Sequence, residues 1–342
     1  MKEIIVRENE AGQRLDKLLA RYLCQAPKSF LYKMLRKKNI TLNGKKASGN
    51  EITAKEDCIR IFLSDETYEK FSAGEEAPPI RHTGALTKEQ IIYEDGDILV
   101  LNKPAGMLSQ KSRPEDVSAN EYFLSYLLET GQISAQELRT FHPSICNRLD
   151  RNTSGLLLAG KSLAGLQAMA EALKDRSLHK YYLCLVSGSL TKGARLEGFL
   201  VKDEAANKVK ICATDMGDKE AKPISTQYVP LWTDGKVTLL KIWLITGRAH
   251  QIRAHLSGIG HPIIGDGKYG DRRKNVYYEK TYHLKGQLLH AFQMKMPPLT
   301  GTLSRLSGQE FIAPLPENFR KILADAGCDT ADTDAWRQTE FR

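Results

Sequence analysis

The chain has 342 residues, of which 41% are hydrophobic and 27% charged. This ordinary globular composition excludes a low-complexity or fibrous chain, and the length suits two domains or one large one. The formal net charge of +9 favours a polyanionic partner. Residues 1–64 hold nine lysines and five arginines against seven acidic residues, so most of the surplus lies in one N-terminal unit.

Neither the cysteines nor the start of the chain indicates an oxidising or membrane environment. The six cysteines are scattered and form no CxxC pair, which is typical of reduced thiols and excludes a disulfide framework or zinc site. The first residues lack the apolar run of a signal peptide, and no segment approaches a membrane span. We therefore expect a soluble, cytoplasmic protein without a bound metal.

The first predicted elements form a small unit that ends near residue 63. Apolar residues at helical spacing predict one helix over residues 15–23 and a second one after Ser29. Residues 40–45 are typical of a strand that enters a turn at Asn43 and Gly44. Alternating apolar residues predict a closing strand over residues 59–63.

The rest of the chain mixes strands with a few helices. Residues 64–88 are acidic and rich in Ser, Gly and Pro, which predicts a linker. Strands are predicted at 91–93, 98–101, 181–186, 226–231 and 237–245, and helices at 122–128, after Ser162 and at 249–257. Because there is no regular βαβ alternation, we predict an α+β fold.

These elements divide the chain into four parts. We expect a small basic domain at 1–63, a linker at 64–88, a large second domain at 89–325 and a polar, poorly packed tail at 326–342.

A basic cluster marks the N-terminal unit. Its members lie on or between short elements that bring them together, namely Lys33, Arg36, Lys37, Lys38 and Lys45. Such a cluster contacts phosphates through charge, although most charge runs are only a solvated helix face. The order of elements, with Arg14-Leu15-Asp16 and Asn43-Gly44-Lys45, resembles the RNA-binding domain of ribosomal small-subunit protein four. That resemblance implies a small α/β RNA-binding domain.

The most specific motif is Asn147-Arg148-Leu149-Asp150-Arg151-Asn152-Thr153-Ser154-Gly155, followed by an apolar strand. It resembles the signature of RluA-type RNA pseudouridine synthases. The resemblance implies that Asp150 is the catalytic residue. It also implies that the catalytic domain has the pseudouridine synthase fold, with a mixed, mainly antiparallel central sheet.

Further segments agree with that family in the same order. They are residues 102–106, 180–186, 244–256, 260–270 and 289–291. The resemblance implies that Tyr182 is the active-site tyrosine and that Arg253 pairs with Asp150. The chain departs from the family at Asn147, where His is frequent, and at Ala249, where Thr is frequent. Neither position is the nucleophile, so we expect the activity to be kept.

The reaction explains the choice of residue types. Uridine must lose its N-glycosidic bond, turn its base and rejoin through carbon, and since no atoms are gained or lost, no cofactor is required. A carboxylate nucleophile divides this into two easier steps. The resemblance implies that Asp150 attacks either ribose C1′ or base C6, and in a route through a glycal intermediate it would also act as a base. Arg253 would keep the carboxylate ionised, whereas a structural ion pair or a phosphate contact is its alternative role.

The target base has to leave the stack before it can react. Arg148 matches the family residue that fills the vacated space, and a surface phosphate contact is the alternative interpretation. Tyr182 would stack on the flipped pyrimidine, although a tyrosine in a strand is more often part of the core. His250 and His255 lie five residues apart, which is a poor spacing for metal ligands, so we expect structural or RNA-contacting roles.

The main hypothesis is therefore a monomeric enzyme that modifies structured RNA. The resemblance implies large-subunit ribosomal RNA, while transfer RNA stays possible. One alternative is a non-catalytic RNA-binding protein, such as a ribosome assembly factor, that uses only the basic unit. Another is a carboxylate hydrolase, which requires a second acid near Asp150. Asp266 is the only candidate for that acid, and the glycine-rich turn around it suggests a structural role.

Overall fold

The computed structural model describes residues 1–72, 86–203, 208–215, 221–331 and 333–341. Within these ranges the strands form a four-stranded N-terminal sheet and an eleven-stranded sheet. The N-terminal strands are β1 (Lys2–Ile5), β2 (Ile40–Leu42), β3 (Lys45–Lys46) and β4 (Cys58–Ile61), and the helices are α1 (Leu15–Tyr22), α2 (Lys28–Arg36) and α3 (Asp65–Ser72).

The N-terminal unit has its own hydrophobic core. Leu15, Leu18 and Leu19 form the buried face of α1, since their spacing brings them to one side of the helix. Asn43 and Gly44 both have positive φ angles, 52° and 72°, and connect β2 to β3 as predicted. Two successive positive φ values are typical of the tight hairpin turn that the Asn-Gly sequence favours.

The first part of the predicted linker 64–88 is a helix in the structure. Residues 65–72 form helix α3, and its Tyr68 and Phe71 pack against the N-terminal core. The rings of Phe30 and Phe71 lie 4.5 Å apart between centroids. The acidic and serine residues that dominate the exposed face of α3 suggested a linker. The helix nevertheless packs against the N-terminal core through its two aromatic side chains. Residues 73–85 of the predicted linker lie outside the described residues.

The large sheet belongs to the second part of the chain. Its strands are β5 (Ile91–Glu94), β6 (Ile98–Lys103), β7 (Ser144–Ile145), β8 (Ser154–Gly160), β9 (His179–Ser187), β10 (Ala194–Asp203), β11 (Lys208–Cys212), β12 (Lys222–Thr233), β13 (Val237–Leu244), β14 (Leu289–Lys295) and β15 (Glu310–Ile312). The main path runs β11-β10-β12-β13-β9-β14-β8-β6-β5, with β15 on β14 and β7 on β8. Among the paired strands described, β14 and β8 run parallel and the others antiparallel. The predicted mixed, mainly antiparallel sheet and α+β class are confirmed.

Six helices accompany this sheet within the described ranges. They are α4 (Ala119–Glu129), α5 (Leu163–Lys174), α6 (Gln251–Gly258), α7 (Arg272–Tyr282), α8 (Glu317–Asp325) and α9 (Thr333–Gln338). The side chain of Ser162 accepts a hydrogen bond from the Gly165 amide and caps α5, as the sequence predicted.

Hydrophobic cores cover both faces of the large sheet. Successive side chains of a strand point to opposite faces, so Tyr182 and Cys184 of β9 belong to one core and Leu183 and Leu185 to the other. Helices α4, α5 and α6 contribute to the first core, and α8 and α9 to the second. The alternation thus places Tyr182 on the face that carries α6.

The C-terminal tail packs more closely than expected. Trp336 of α9 is buried in the second core. The buried ammonium group of Lys241 donates hydrogen bonds to the carbonyls of Arg337 and Thr339, at 2.7 and 3.0 Å. The prediction of a poorly packed tail was wrong here because one buried aromatic side chain outweighs a polar composition.

Candidate active site

A cavity of about 450 Å³ opens on the α6 face of the large sheet. Its walls come from the loop before β8, the start of β9 and the segment from the end of β13 into α6. The structure brings four predicted site residues to this cavity, namely Arg148, Asp150, Tyr182 and Arg253.

Hydrogen bonds hold the loop that carries Asp150 just before the aspartate. The buried hydroxyl of Ser109 accepts a hydrogen bond from the amide of Leu149 at 3.0 Å and donates one to its carbonyl at 2.9 Å. The side-chain oxygen of Asn147 accepts from the amide of Leu158 at 2.7 Å. Asn147 therefore has a structural role here, and these bonds hold the Asp150 backbone in place.

Lys103 adds a third fastening behind the loop. Its side chain is buried, and its ammonium donates to the carbonyls of Pro104, Met107 and Arg151 at 2.9, 2.8 and 3.1 Å. Burial lowers the pKa of Lys103 to about 7, and the charge of Asp150 acts in the opposite direction. Lys103 thus joins the turn after β6 to the Asp150 loop.

Arg253 lies between two carboxylates. Its Nη1 donates to Oδ2 of Asp150 at 2.7 Å, while its Nε and Nη2 donate to Oδ2 and Oδ1 of Asp266 at 2.7 and 2.8 Å. Burial works to lower the pKa of Arg253, but the bond and charge of Asp266, followed by those of Asp150, raise it overall. Burial likewise works to raise the pKa of Asp266, and Arg253 lowers it overall. The arginine is therefore a fixed cation beside Asp150.

His250 also lies at the nucleophile. Its Nε2 is 4.0 Å from Oδ2 of Asp150, and its Nδ1 is 3.1 Å from the Tyr269 hydroxyl. Burial lowers the pKa of His250, Asp150 opposes this, and the charge of Arg253 lowers it further. These effects favour a neutral imidazole near neutral pH.

Tyr182 and Arg148 differ in exposure. Tyr182 is 5% exposed, and burial, followed by the charge of Asp150, raises the pKa of its hydroxyl. Its phenol therefore stays protonated near neutral pH. Arg148 is exposed at the cavity rim. Lys180, two residues before Tyr182 on the same strand face, also lines the cavity, and burial lowers its pKa.

Sequence reasoning missed several contributors to the site. His250, Lys103 and Asp266 are near Asp150 only through the fold, and Asp266 was rejected as an acid partner because of its glycine-rich turn. The turn does hold Asp266, which is fully buried and bonded to Arg253. All three residues lie within segments that resemble the family, and this position could have identified them as site candidates.

The predicted RNA-binding residues lie elsewhere. The side chains of Lys33, Arg36, Lys37, Lys38 and Lys45 are all exposed on the N-terminal unit. No helix in the described ranges combines the length and apolar character needed to cross a bilayer. The same ranges hold no group of three or more His, Cys, Asp or Glu side chains placed to bind a metal ion.

Known proteins resemble this chain in sequence and fold. The model of the RNA pseudouridylate synthase family matches residues 97–258. The ribosomal large subunit pseudouridine synthase C of Pasteurella multocida is 31% identical over 332 residues, covering 94% of this chain and 93% of that protein. The protein of the same name from Escherichia coli K12 is 31% identical over 329 residues, covering 94% and 96%.

A solved structure shows the same fold. Human RNA Pseudouridylate Synthase Domain Containing 4 has a TM-score of 0.56 and 21% identity, covering 70% of this chain and 94% of that one. Fold and sequence together define an isomerase that acts on RNA. The chain belongs to the RNA pseudouridylate synthase family, whose reaction converts uridine in RNA to pseudouridine. The predicted family and activity are confirmed.

Proposed function

We propose that this enzyme isomerises specific uridines of large-subunit ribosomal RNA, with Asp150 as the nucleophile. The observation that carries the proposal is the Asp150 carboxylate in the cavity, bonded through one oxygen to the fixed cation Arg253. The names of the two relatives described above support the choice of ribosomal RNA. We place the enzyme in the cytoplasm, where ribosomal RNA is found, and propose that it works as a monomer.

The geometry supports a nucleophilic role for Asp150. Its Oδ2 accepts from Arg253, whereas its Oδ1 has no hydrogen-bond partner among the described residues, so Oδ1 is available for attack. The pairing with Arg253 favours the ionised carboxylate. Attack on C1′ or C6 forms a covalent bond to Asp150, the C1′–N1 bond breaks with its electron pair going to N1, and the base turns. C5 then bonds to C1′, and the bond to Asp150 breaks with its electron pair returning to the carboxylate. The C5 proton is then lost and N1 gains one.

The shape of the cavity supports base flipping. A stacked base cannot reach a carboxylate that lines a cavity, so the uridine has to turn out of its helix. The exposed guanidinium of Arg148 at the rim is suited to fill the space that the base leaves. The buried ring of Tyr182 provides an apolar surface for the pyrimidine.

We further propose that the N-terminal unit is a separate RNA-binding domain like that of ribosomal small-subunit protein four. It has its own core, and its boundary at residue 63 would extend through α3 to residue 72. Its exposed basic cluster is suited to phosphate contacts, while the catalytic domain spans 89–325.

The test is to incubate purified protein with unmodified transcripts of large-subunit ribosomal RNA and transfer RNA. Pseudouridine is then mapped by carbodiimide labelling and primer extension, with Asp150→Ala as the matched control. We expect new stops at one or a few uridines of the ribosomal transcript that disappear with Asp150→Ala. Stops only on transfer RNA would overturn the proposal that ribosomal RNA is the substrate. Tight RNA binding without any stops would favour a non-catalytic assembly factor.

A further inference from the structure

The imidazole of His250 lies beside the nucleophile, with Nδ1 against the Tyr269 hydroxyl and Nε2 on the side of Asp150. Its side chain does not cap α6, although the residue occupies the N-cap position with a left-handed φ of 54°. At 4.0 Å, Nε2 is too far from Oδ2 of Asp150 for a hydrogen bond. The ring nevertheless lines the same cavity, so a substrate atom near Asp150 can also reach Nε2.

The surroundings of the ring favour one tautomer. The amide of Val209 donates a hydrogen bond to the Tyr269 hydroxyl oxygen at 2.8 Å, which leaves the hydroxyl proton able to donate to Nδ1 of His250 at 3.1 Å. A neutral ring that accepts at Nδ1 carries its proton on Nε2. The negative charge of Asp150, on the Nε2 side, favours the same arrangement.

We propose that His250 is a further catalytic residue, whose Nε2–H donates a hydrogen bond to O2 of the flipped uracil while the glycosidic bond breaks. The inference rests on the proposed isomerisation at Asp150. C2, which carries O2, is bonded to N1, the atom that leaves C1′. A nucleotide placed for attack by Asp150 therefore brings O2 close to a donor only 4.0 Å from that carboxylate.

The bond changes show where charge develops. An Asp150 oxygen bonds to substrate carbon, the C1′–N1 bond breaks, and its electron pair goes to N1 and, by conjugation, to O2. This holds whether the attack is at C1′ or C6. Afterwards C5 bonds to C1′, the bond to Asp150 breaks with its electron pair returning to the carboxylate, and a proton moves from C5 to N1.

A donor aimed at O2 is worth more in the transition state than in the ground state. Preorganised donors in a partly dry cavity stabilise charge that appears only during the reaction. Burial lowers the pKa of His250, against the effect of Asp150 and together with that of Arg253 and Lys268, while Asp266 opposes it. A neutral ring remains a donor to O2 and does not form an ion pair with Asp150.

Two substitutions separate this role from a structural one. In His250→Gln the amide nitrogen takes the place of Nε2 and still donates. In His250→Asn the amide oxygen takes the place of Nδ1 and accepts from the Tyr269 hydroxyl, no donor remains at the Nε2 position, and asparagine suits the left-handed backbone. The probe is a short ribosomal transcript that contains the mapped uridine. We expect His250→Gln to retain a kcat at least about tenfold above that of His250→Asn, with similar KM values.

Modified substrates identify the accepting oxygen. Sulfur is a weak acceptor, so a 2-thiouridine at the target should slow the wild type while adding little to the defect of His250→Asn. With 2′-deoxyuridine, the ratio of wild type to His250→Asn should stay unchanged. A rate ratio near one on the 2′-deoxyuridine substrate would assign the hydrogen bond to the ribose 2′ oxygen and overturn the proposal.

Comparing the activities of His250→Gln, His250→Asn and the wild type distinguishes failure of this inference from failure of the proposed function. An active wild type in which His250→Asn equals or exceeds His250→Gln would show a structural role and overturn the inference alone. A wild type that isomerises no uridine in any transcript would overturn the proposed function and the role of His250 together.

Discussion

Arg253 owes its position to a residue that does not face the substrate. Asp266 is fully buried and binds Nε and Nη2 of Arg253, which leaves Nη1 directed at Asp150. Further bonds from the amides of Lys268 and Tyr269 fix the Asp266 carboxylate. A guanidinium has a planar set of donors, so holding one edge also orients the other. We infer that Asp266 is a positioning residue for the nucleophile.

Asp266→Asn tests this positioning. Removing one partner of a buried ion pair should lower the free energy of unfolding by about 3 kcal/mol. The misplaced guanidinium should also lower kcat at least about tenfold while KM changes little. Urea unfolding measures the free energy of unfolding, and steady-state kinetics measures kcat and KM.

Asp271→Asn is the matched control for that substitution. Asp271 is exposed and caps α7 through its side-chain oxygen, a function that asparagine also performs. Its stability and kcat should stay near wild type. Equal effects of the two substitutions on kcat would contradict a positioning role for Asp266.

At the scale of elements, the seam between β8 and β14 holds the two halves of the large sheet together. These strands pair in parallel through His290 with Ser154 and Ala291 with Gly155. Gly155 has a φ of 106°, and a Cβ there would lie 2.2 Å from the Ala291 carbonyl oxygen. The seam follows directly after the Asp150 loop, so its close approach helps to place the nucleophile.

Gly155→Ala should therefore be strongly destabilising. The clash with backbone and the left-handed conformation together should cost about 3 kcal/mol or more. Gly258→Ala is the control, because Gly258 ends α6 with open space around its Cβ position. That change should be neutral or slightly stabilising. Thermal unfolding of both variants measures the difference, and a similar melting temperature for the two would contradict the packing argument.

The sequence predicted those elements whose burial repeats at a regular spacing. The alternation in β9 and the apolar stripe of α5 are examples, and Ser162 marked the start of α5. Helix α7 was not predicted because none of its residues is buried, so it has no apolar stripe. The first two residues of strand β10, Ala194 and Arg195, are both exposed, so the start of this strand has no burial signal.

Long-range contacts were also beyond sequence patterns. His250 lies near Asp150 although one hundred positions separate them, and Trp336 reaches the second core from the polar tail. The Asp150–Arg253 pair was anticipated only because both residues belong to motifs that resemble the family. Packing, which brings these side chains together, is a property of the whole fold.

At the scale of the whole molecule, the N-terminal unit contacts the catalytic part near residues 137–140. Arg139 donates to the Ser72 carbonyl at 3.0 Å, and Arg21 donates to the Thr140 carbonyl. Arg7 and Glu137 form an ion pair at 3.8 Å. These polar contacts connect a basic surface to the unit with the active site, which suits an RNA that binds both.

A triple substitution tests the role of that basic surface. Lys37→Ala, Lys38→Ala and Lys45→Ala together remove three exposed cations, so RNA affinity should fall for all sequences alike. The slope of log affinity against log salt should decrease by about 2 to 3. Filter binding at several salt concentrations measures this, with chemistry under saturating enzyme expected to stay near wild type.

The control removes three exposed lysines from the catalytic part, Lys280, Lys285 and Lys321. Their replacement by alanine should leave the salt slope nearly unchanged if RNA lies on the N-terminal unit. An equal loss of slope in both triple variants would show that the enzyme binds RNA through net charge alone.

The proposed reaction at Asp150 converts uridine to pseudouridine without any change in RNA composition. The most direct measurement is single-turnover conversion of the ribosomal transcript by the wild type and by Asp150→Asn, read from digested nucleosides and from intact RNA mass. We expect pseudouridine at unchanged mass with the wild type. With Asp150→Asn we expect no conversion, although RNA binding stays within about threefold. Conversion by Asp150→Asn at a rate near wild type, or a change in RNA mass, would contradict the account.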